Sequence, residues 1–121
     1  MNLLQIAQRA VDLDRAADFY TVLLDREPRA RFVDPDLVFF DIDGVRLVLD
    51  AKAPSTLFYL RVDNVHEALE RLGGVAEVIS PPHVVFVHDN GLLGPDGHEE
   101  WQAFLRDSEG NTVALVAFQR P

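Results

Sequence analysis

The sequence predicts an α+β protein built from two tandem βαβββ modules, with the first over about residues 1–53 and the second over about 54–121. Three observations support this prediction. Two short segments have apolar residues at helical spacing, several short runs have strand character, and the order of these elements repeats. The repeat has an offset of 52 residues, which carries Asp12 onto Asn64.

The first module begins with a short apolar segment of strand character at residues 3–8. A helix follows, because apolar residues recur at 13, 16, 17, 20, 23 and 24, with Asp12 as the expected N-cap. After a break at residues 25–28, strands are expected near 29–33, 37–42 and 45–50. The dipeptide Asp43-Gly44 is typical of a two-residue hairpin turn between the last two of these strands.

The second module repeats this order with one addition. A strand at 57–62 precedes a helix at 64–72, which Gly73-Gly74 ends. Further strands are expected near 75–79, 83–88, 101–106 and 112–118, and the first two are alternatively one long strand bent at Pro81-Pro82. The segment 89–100 is rich in glycine and acidic residues and has no counterpart in the first module, so we expect it to act as a lid.

One module of this length would be only marginally stable alone, because a chain of about 60 residues buries a smaller fraction of its surface than a larger domain does. Pairing two modules predicts a curved sheet, mixed and antiparallel, with the helices outside and a cleft enclosed by the sheet faces. Such a lined hollow is suited to a small-molecule ligand.

Composition excludes several classes of function. The chain has 11 Lys+Arg, 20 Asp+Glu and a net charge of −9, so it would repel nucleic acid and anionic membranes. It contains no cysteine, which leaves only nitrogen and oxygen ligands for any metal ion. No signal peptide or apolar run of about 20 residues is visible, and we therefore expect a cytoplasmic protein.

Two segments carry a resemblance to a known family. They are residues 5–20, which end in Phe19-Tyr20, and residues 104–111, which end in Arg-Asp-Ser-Glu-Gly-Asn. Both resemble the vicinal oxygen chelate superfamily, which includes glyoxalase I, bleomycin resistance proteins, extradiol dioxygenases and methylmalonyl-CoA epimerase. The resemblance covers essentially the whole chain and implies a glyoxalase-like fold, a small-molecule ligand and a homodimer.

The resemblance also implies four positions for metal ligands. The superfamily takes a His or Gln from the first strand of each module and a Glu from the last strand. In this sequence these positions are occupied by Gln5, Leu57, Val48 and Ala114. Only the first has a side chain that can bind a metal ion, so the usual octahedral site is not intact.

Other polar residues leave a different metal site possible. Asp50 lies two residues after Val48 and shares its face of the strand, unless it is simply a solvated strand end. His83 and His88 begin and end a predicted strand, but they point to opposite faces unless a bulge intervenes. The predicted metal ligands are therefore Gln5, Asp50, His83 and His88, around an ion such as Ni, Zn, Mn or Fe.

Catalytic and substrate-binding residues are predicted near the same strands. Asp50 and Glu100 are the candidate bases, although an acidic residue beside the 89–100 loop is often only solvated. Aromatic residues are expected to line the cleft and contact the substrate, unless they lie in the core: Phe40, Tyr59, Phe86 and Trp101.

Two main functions fit this sequence. The first is a metal-dependent lyase or isomerase that acts on a small oxygenated metabolite through an enediolate. The second is a protein that sequesters an antibiotic or metabolite unchanged, with acidic residues attracting a cationic ligand. The loss of three standard metal ligands favours the second function. A structural or regulatory domain without a small ligand is a third alternative.

Overall fold

The computed structural model describes all residues from Met1 to Pro121 and has eight strands, two helices and a short 3-10 turn at 73–75. The element bounds are β1 Gln5–Arg9, α1 Leu13–Leu24, β2 Ala30–Val33, β3 Asp36–Ile42, β4 Val45–Asp50, β5 Tyr59–Arg61, α2 Val65–Leu72, β6 Glu77–Val87, β7 Glu99–Arg106 and β8 Thr112–Gln119. The strands form two four-stranded mixed sheets. The predicted α+β class with two βαβββ modules is confirmed.

The chain divides into two compact units. Unit 1 contains residues 1–56 and the turn at 107–111, and unit 2 contains residues 57–106 and 112–121. The main division between the units thus falls after Thr56. The sequence predicts a module boundary at about residue 53. The turn between β7 and β8, residues 107–111, belongs to unit 1, although the strands on either side of it belong to unit 2. No local sequence pattern indicates this assignment.

The sheet of unit 1 has the order β1-β4-β3-β2, with β1 parallel to β4 and the other pairs antiparallel. Helix α1 begins after the predicted cap, where the Asp12 carboxylate accepts a hydrogen bond from the Arg15 backbone N–H. The helix packs its apolar side on the sheet, and the rings of Tyr20 and Phe40 lie 6.3 Å apart. The β3–β4 turn has positive φ at both Asp43 and Gly44, as the dipeptide predicted.

The turn at 107–111 is tied to the start of α1. The Glu109 carboxylate accepts hydrogen bonds from the backbone N–H groups of Val11 and Asp12 and lies 2.7 Å from the Arg15 Nε atom. Burial alone would raise the pKa of Glu109, but the hydrogen bonds from Arg15 and Asp12 outweigh burial and lower it. Asn111 donates from its Nδ2 atom to the Arg9 carbonyl, which adds β1 to the same network.

The sheet of unit 2 has the order β5-β8-β7-β6, with β5 parallel to β8. Helix α2 begins at the predicted cap, where Asn64 accepts a hydrogen bond from the Glu67 backbone N–H. The two predicted strands around Pro81-Pro82 are one strand, β6, which confirms the alternative. Its pairing with β7 shifts register three times, and the shift between Ser80 and His83 spans Pro81-Pro82, which cannot donate to the ladder.

Neither α1 nor α2 has the length and apolar composition needed to cross a lipid bilayer.

Candidate functional site

Each sheet has one face against its helix and one face turned away from it, which we call the helix-free face. In unit 2 the strand register arranges the side chains of the helix-free face in rows. The first row is Tyr59, Ala114, Phe104 and Ser80; the second is Arg61, Val116, Gln102 and His83; the third is Phe118, Glu100 and Phe86. Tyr59, His83, Phe86 and Glu100 were predicted site residues, and the structure places them on this one face.

Aromatic rings border a floor of small side chains on this face. The rings of Tyr59 and Phe104 meet edge to face with centroids 6.1 Å apart, and Tyr59 is 53% exposed. Ala114 and Val116 lie on β8 between the flanking strands β5 and β7. Both residues are buried and apolar, so the first row offers stacking on the exposed Tyr59 ring, and the polar side chains of the face lie mainly in the second and third rows.

His88 and Glu100 form a buried polar pair at one end of this face. The His88 Nε2 atom lies 2.9 Å from Glu100 Oε1, and the two side chains are only 6% and 13% exposed. The second carboxylate oxygen, Oε2, accepts a hydrogen bond from the Gln102 amide at 2.7 Å. Both oxygens of Glu100 are therefore engaged, and this residue orients His88 instead of being a free base.

The loop between β6 and β7, residues 88–98, packs against this pair through Gly94. It is closed by backbone hydrogen bonds between His88 and the residues Gly97 and His98. A Cβ atom on Gly94 would lie 2.5 Å from Phe118 Cε1 and 3.0 Å from His88 Nε2, so any larger residue there would force the Phe118 ring to move. A cavity of about 220 Å³ lies beside the loop, lined by apolar side chains that include Phe86 and by the ring of His88.

His83 reaches the helix-free face through a bulge. The register of β6 shifts between Val84 and Phe86, so that His83 and His88 no longer point to opposite sides. The sequence predicts that the two histidines share a face only if a bulge lies between them, and this bulge is present. They do not converge, however, because the His83 Nδ1 atom bonds the Pro81 carbonyl while His88 bonds Glu100.

Two predicted substrate-binding residues lie on the helix side of their sheets. Phe40 is fully buried and packs against Tyr20 of α1, because it pairs with Leu47 on the core face. Trp101 lies with its ring 5.0 Å from the ring of His66 on α2. The prediction that these residues contact a ligand is corrected, since alternate residues of a strand point to opposite faces.

The remaining predicted residues are on the helix-free face of unit 1. Gln5 pairs with Arg46 and is exposed, whereas Asp50 pairs with Arg9 at the other end of the same two strands. Four residues of strand separate them, which is about 13 Å. The Asp50 Oδ1 atom accepts a hydrogen bond from the Lys52 backbone N–H at 2.8 Å. These two side chains are therefore too far apart to bind one ion, and Asp50 stabilises the turn after β4.

The residues at the superfamily's metal positions do not fit a metal ion. Val48 and Ala114 are buried apolar side chains, and Leu57 is an exposed one. No group of three or more histidine, aspartate or glutamate residues is arranged to hold a metal ion. A metal ion therefore enters no step of the function proposed below.

Sequence reasoning missed two side chains of the helix-free face. Arg61 lies over the ring of Phe118, with its Cζ atom 4.8 Å from the ring centroid. Both could have been found by the two-residue period of a strand, because Arg61 follows Tyr59 by two positions and Phe118 follows Ala114 by four.

Solved structures match this arrangement over almost the entire chain. A lactoylglutathione lyase from Agrobacterium tumefaciens is 23% identical, with a TM-score of 0.64 over 96% of this chain and 92% of that one. A glyoxalase/bleomycin resistance protein/dioxygenase from Alicyclobacillus acidocaldarius is 20% identical, with a TM-score of 0.68 over 97% and 91%. The chain has the glyoxalase fold. The predicted resemblance is thereby confirmed at the level of the fold.

A third structure with the glyoxalase fold is a glyoxalase/bleomycin resistance protein from Albidiferax ferrireducens T118. It is 16% identical to this chain, with a TM-score of 0.68 over 95% of this chain and 98% of that one. No protein-family model and no curated protein matches the sequence. The glyoxalase fold alone does not decide between catalysis and binding, since one fold hosts many functions.

Proposed function

We propose that this glyoxalase-like protein binds a small organic molecule on the helix-free face of unit 2 and releases it unchanged, without a metal ion. The observation that carries this proposal is the position of Ala114. It occupies the place of a superfamily metal ligand, is fully buried, and lies between the strands that bear Tyr59 and Phe104. Because Ala114 is buried and the Tyr59 and Phe104 rings meet, the surface left to a ligand is the exposed Tyr59 ring, which favours stacking with a planar, partly apolar molecule.

The engaged state of the predicted bases also supports binding over catalysis. Both oxygens of Glu100 accept hydrogen bonds from neighbouring side chains, and Asp50 caps a turn. Each carboxylate keeps unshared lone pairs, but its contacts fix its orientation, and Glu100 is only 13% exposed to the substrate proton that a general base must reach. The metal-dependent lyase or isomerase predicted first remains a prediction, but three of the superfamily's four ligand positions lack donor atoms, and the predicted ligands Gln5 and Asp50 lie about 13 Å apart.

The experiment uses a neutral aromatic probe, 2-naphthamide, titrated into protein treated with EDTA and followed by amide NMR shifts. We expect shifts in β5, β7 and β8 and recovery of intact probe by chromatography. Tyr59→Ala should weaken binding several-fold, whereas Phe32→Ala is the matched control. Phe32 is an equally exposed ring in the edge strand of unit 1, with an edge-to-face partner of its own.

Three results would overturn the proposal: no shift at any soluble probe concentration, loss of binding on EDTA treatment, or conversion of the probe. Equal weakening by Tyr59→Ala and Phe32→Ala would place binding elsewhere.

We also propose a second copy of the chain as the protein's partner, as the resemblance implies. Exposed apolar side chains in unit 1 support association, namely Leu3, Leu4 and Val33. Light scattering that gives the mass of a single chain at all concentrations would contradict this.

A further inference from the structure

Arg61 is placed on the helix-free face of unit 2 without a carboxylate partner. The other arginine in the strands of this face, Arg106, lies 3.5 Å from the Glu77 carboxylate. Arg61 has no carboxylate within salt-bridge distance, and its guanidinium is held over the Phe118 ring instead. A cation–π contact keeps the guanidinium in place while leaving its hydrogen-bond donors free. The helix-free face of unit 2 therefore carries the Arg61 guanidinium in a defined position over Phe118.

The neighbouring rows supply an aromatic surface next to this cation. Arg61 belongs to the second row, whose floor is Val116, and the first row contains Tyr59 and Phe104. Adjacent rows are about 7 Å apart, since they are two residues apart along each strand. The Arg61 guanidinium itself lies over Phe118 of the third row, about 13 Å from the first row. A planar two-ring molecule that lies along the second row, over Val116, therefore has Tyr59 and Phe104 at one end and the guanidinium at the other.

The negative charges of the protein do not cancel this local cation. The net charge is −9, but at physiological salt charges more than about 8 Å away are largely screened. The carboxylate on the same face, Glu100, already accepts hydrogen bonds from His88 and Gln102. Asp63 and Glu67 line a pocket together with Arg61, but neither carboxylate is within salt-bridge distance of its guanidinium, so Arg61 remains available to a ligand.

We infer that the molecule bound on the helix-free face of unit 2 is an aromatic carboxylate, whose ring lies against Tyr59 and Phe104 and whose carboxylate pairs with Arg61. This inference rests on the proposed binding function. It departs from the cationic ligand that the net charge suggested, because the recognition chemistry of a site depends on its nearest groups. Arginine suits this role, since its planar donors match the two oxygens of a carboxylate.

The test compares three probes of the same shape at 0.15 M salt: 2-naphthoate, 2-naphthamide and 2-naphthylmethylammonium. We expect the carboxylate to bind about tenfold more tightly than the amide, as charge-assisted hydrogen bonds are stronger than neutral ones. Arg61→Gln should reduce naphthoate binding to the amide level and leave amide binding unchanged. Salt at 1 M should remove most of the advantage of the carboxylate.

Arg106→Gln is the matched control, because it removes an arginine from the same face that already has the partner Glu77. Both arginines are exposed, so circular dichroism should show native folding for both variants. Equal affinity for naphthoate and naphthamide, tighter binding of the ammonium probe, or equal effects of the two variants would overturn the inference and leave the proposed function standing. Absence of binding by all three probes would overturn both.

Discussion

The Tyr20 hydroxyl donates a 2.6 Å hydrogen bond to Oδ2 of Asp107, which lies 87 residues further along the chain. Tyr20 is fully buried, and burial together with the nearby Asp107 carboxylate raises the pKa of its hydroxyl. Asp107 also accepts hydrogen bonds from the backbone N–H groups of Glu109 and Asn111. The two segments that carried the family resemblance are thus bonded to each other in unit 1.

Replacing Tyr20 by phenylalanine should destabilise the protein by about 1–3 kcal/mol, because Asp107 would lose a donor in a buried site. Urea unfolding measures this change. Tyr59→Phe removes a hydroxyl from an exposed ring and should change the free energy of unfolding by less than about 0.5 kcal/mol. Equal stabilities of the Tyr20→Phe variant and the wild type would contradict the importance of this bond.

Glu109 should make stability dependent on acid pH. Its folded-state pKa is lower than in the unfolded chain, so its contribution is fully present above the ordinary carboxyl pKa of 4.5 and is lost as the pH falls through the folded pKa. Glu109→Gln should therefore reduce the difference in stability between pH 6 and pH 3, as measured by urea unfolding. Asp25→Asn, at an exposed helix end, serves as the control. An unchanged pH profile in Glu109→Gln would count against this role.

Replacing Gly94 by alanine should displace the loop between β6 and β7 from the ring of Phe118. A Cβ atom there would clash with Phe118, whereas a Cβ on Gly74 would meet nothing within 4 Å. Neither glycine has a positive φ, so the two alanine variants differ in space and not in backbone strain. Hydrogen exchange should accelerate at the His88 and Gly97 amides in Gly94→Ala and stay unchanged there in Gly74→Ala. Equal protection of these amides in both variants would show that the close contact between Gly94 and Phe118 does not hold the loop in place.

His88 and Glu100 should be energetically coupled. Removing either partner leaves the other buried with an unmet hydrogen-bonding group, whereas removing both leaves neither. A double-mutant cycle with His88→Ala and Glu100→Ala should give a coupling energy of about 1–3 kcal/mol at neutral pH. Strictly additive effects on the free energy of unfolding would mean that the 2.9 Å contact contributes nothing.

Much of the fold follows from local patterns in the sequence. The caps Asp12 and Asn64, the turn at Asp43-Gly44 and the apolar spacing of both helices all occur where the patterns predict them. These signals are local, because a cap or a turn depends on a few neighbouring residues. The 52-residue repeat likewise predicted two similar modules.

The site residues were harder to predict, because a strand's register decides which face each side chain occupies. One bulge near Val84 puts His83 and His88 on the same face, and no local pattern locates that bulge. The parity of β3 buries Phe40, and the parity of β7 turns Trp101 toward α2. A shift of one residue reverses every such assignment.

By itself, the sequence determined the repeated α+β architecture, the absence of thiolate chemistry and the loss of three metal ligands, since each depends on residue identity and spacing. Tertiary structure alone decided which polar groups are engaged and which are free. It pairs His88 with Glu100, Tyr20 with Asp107 and Arg106 with Glu77, and leaves Arg61 without a carboxylate. The physical reason is that hydrogen bonds and ion pairs form between residues distant in sequence, whose approach depends on strand pairing.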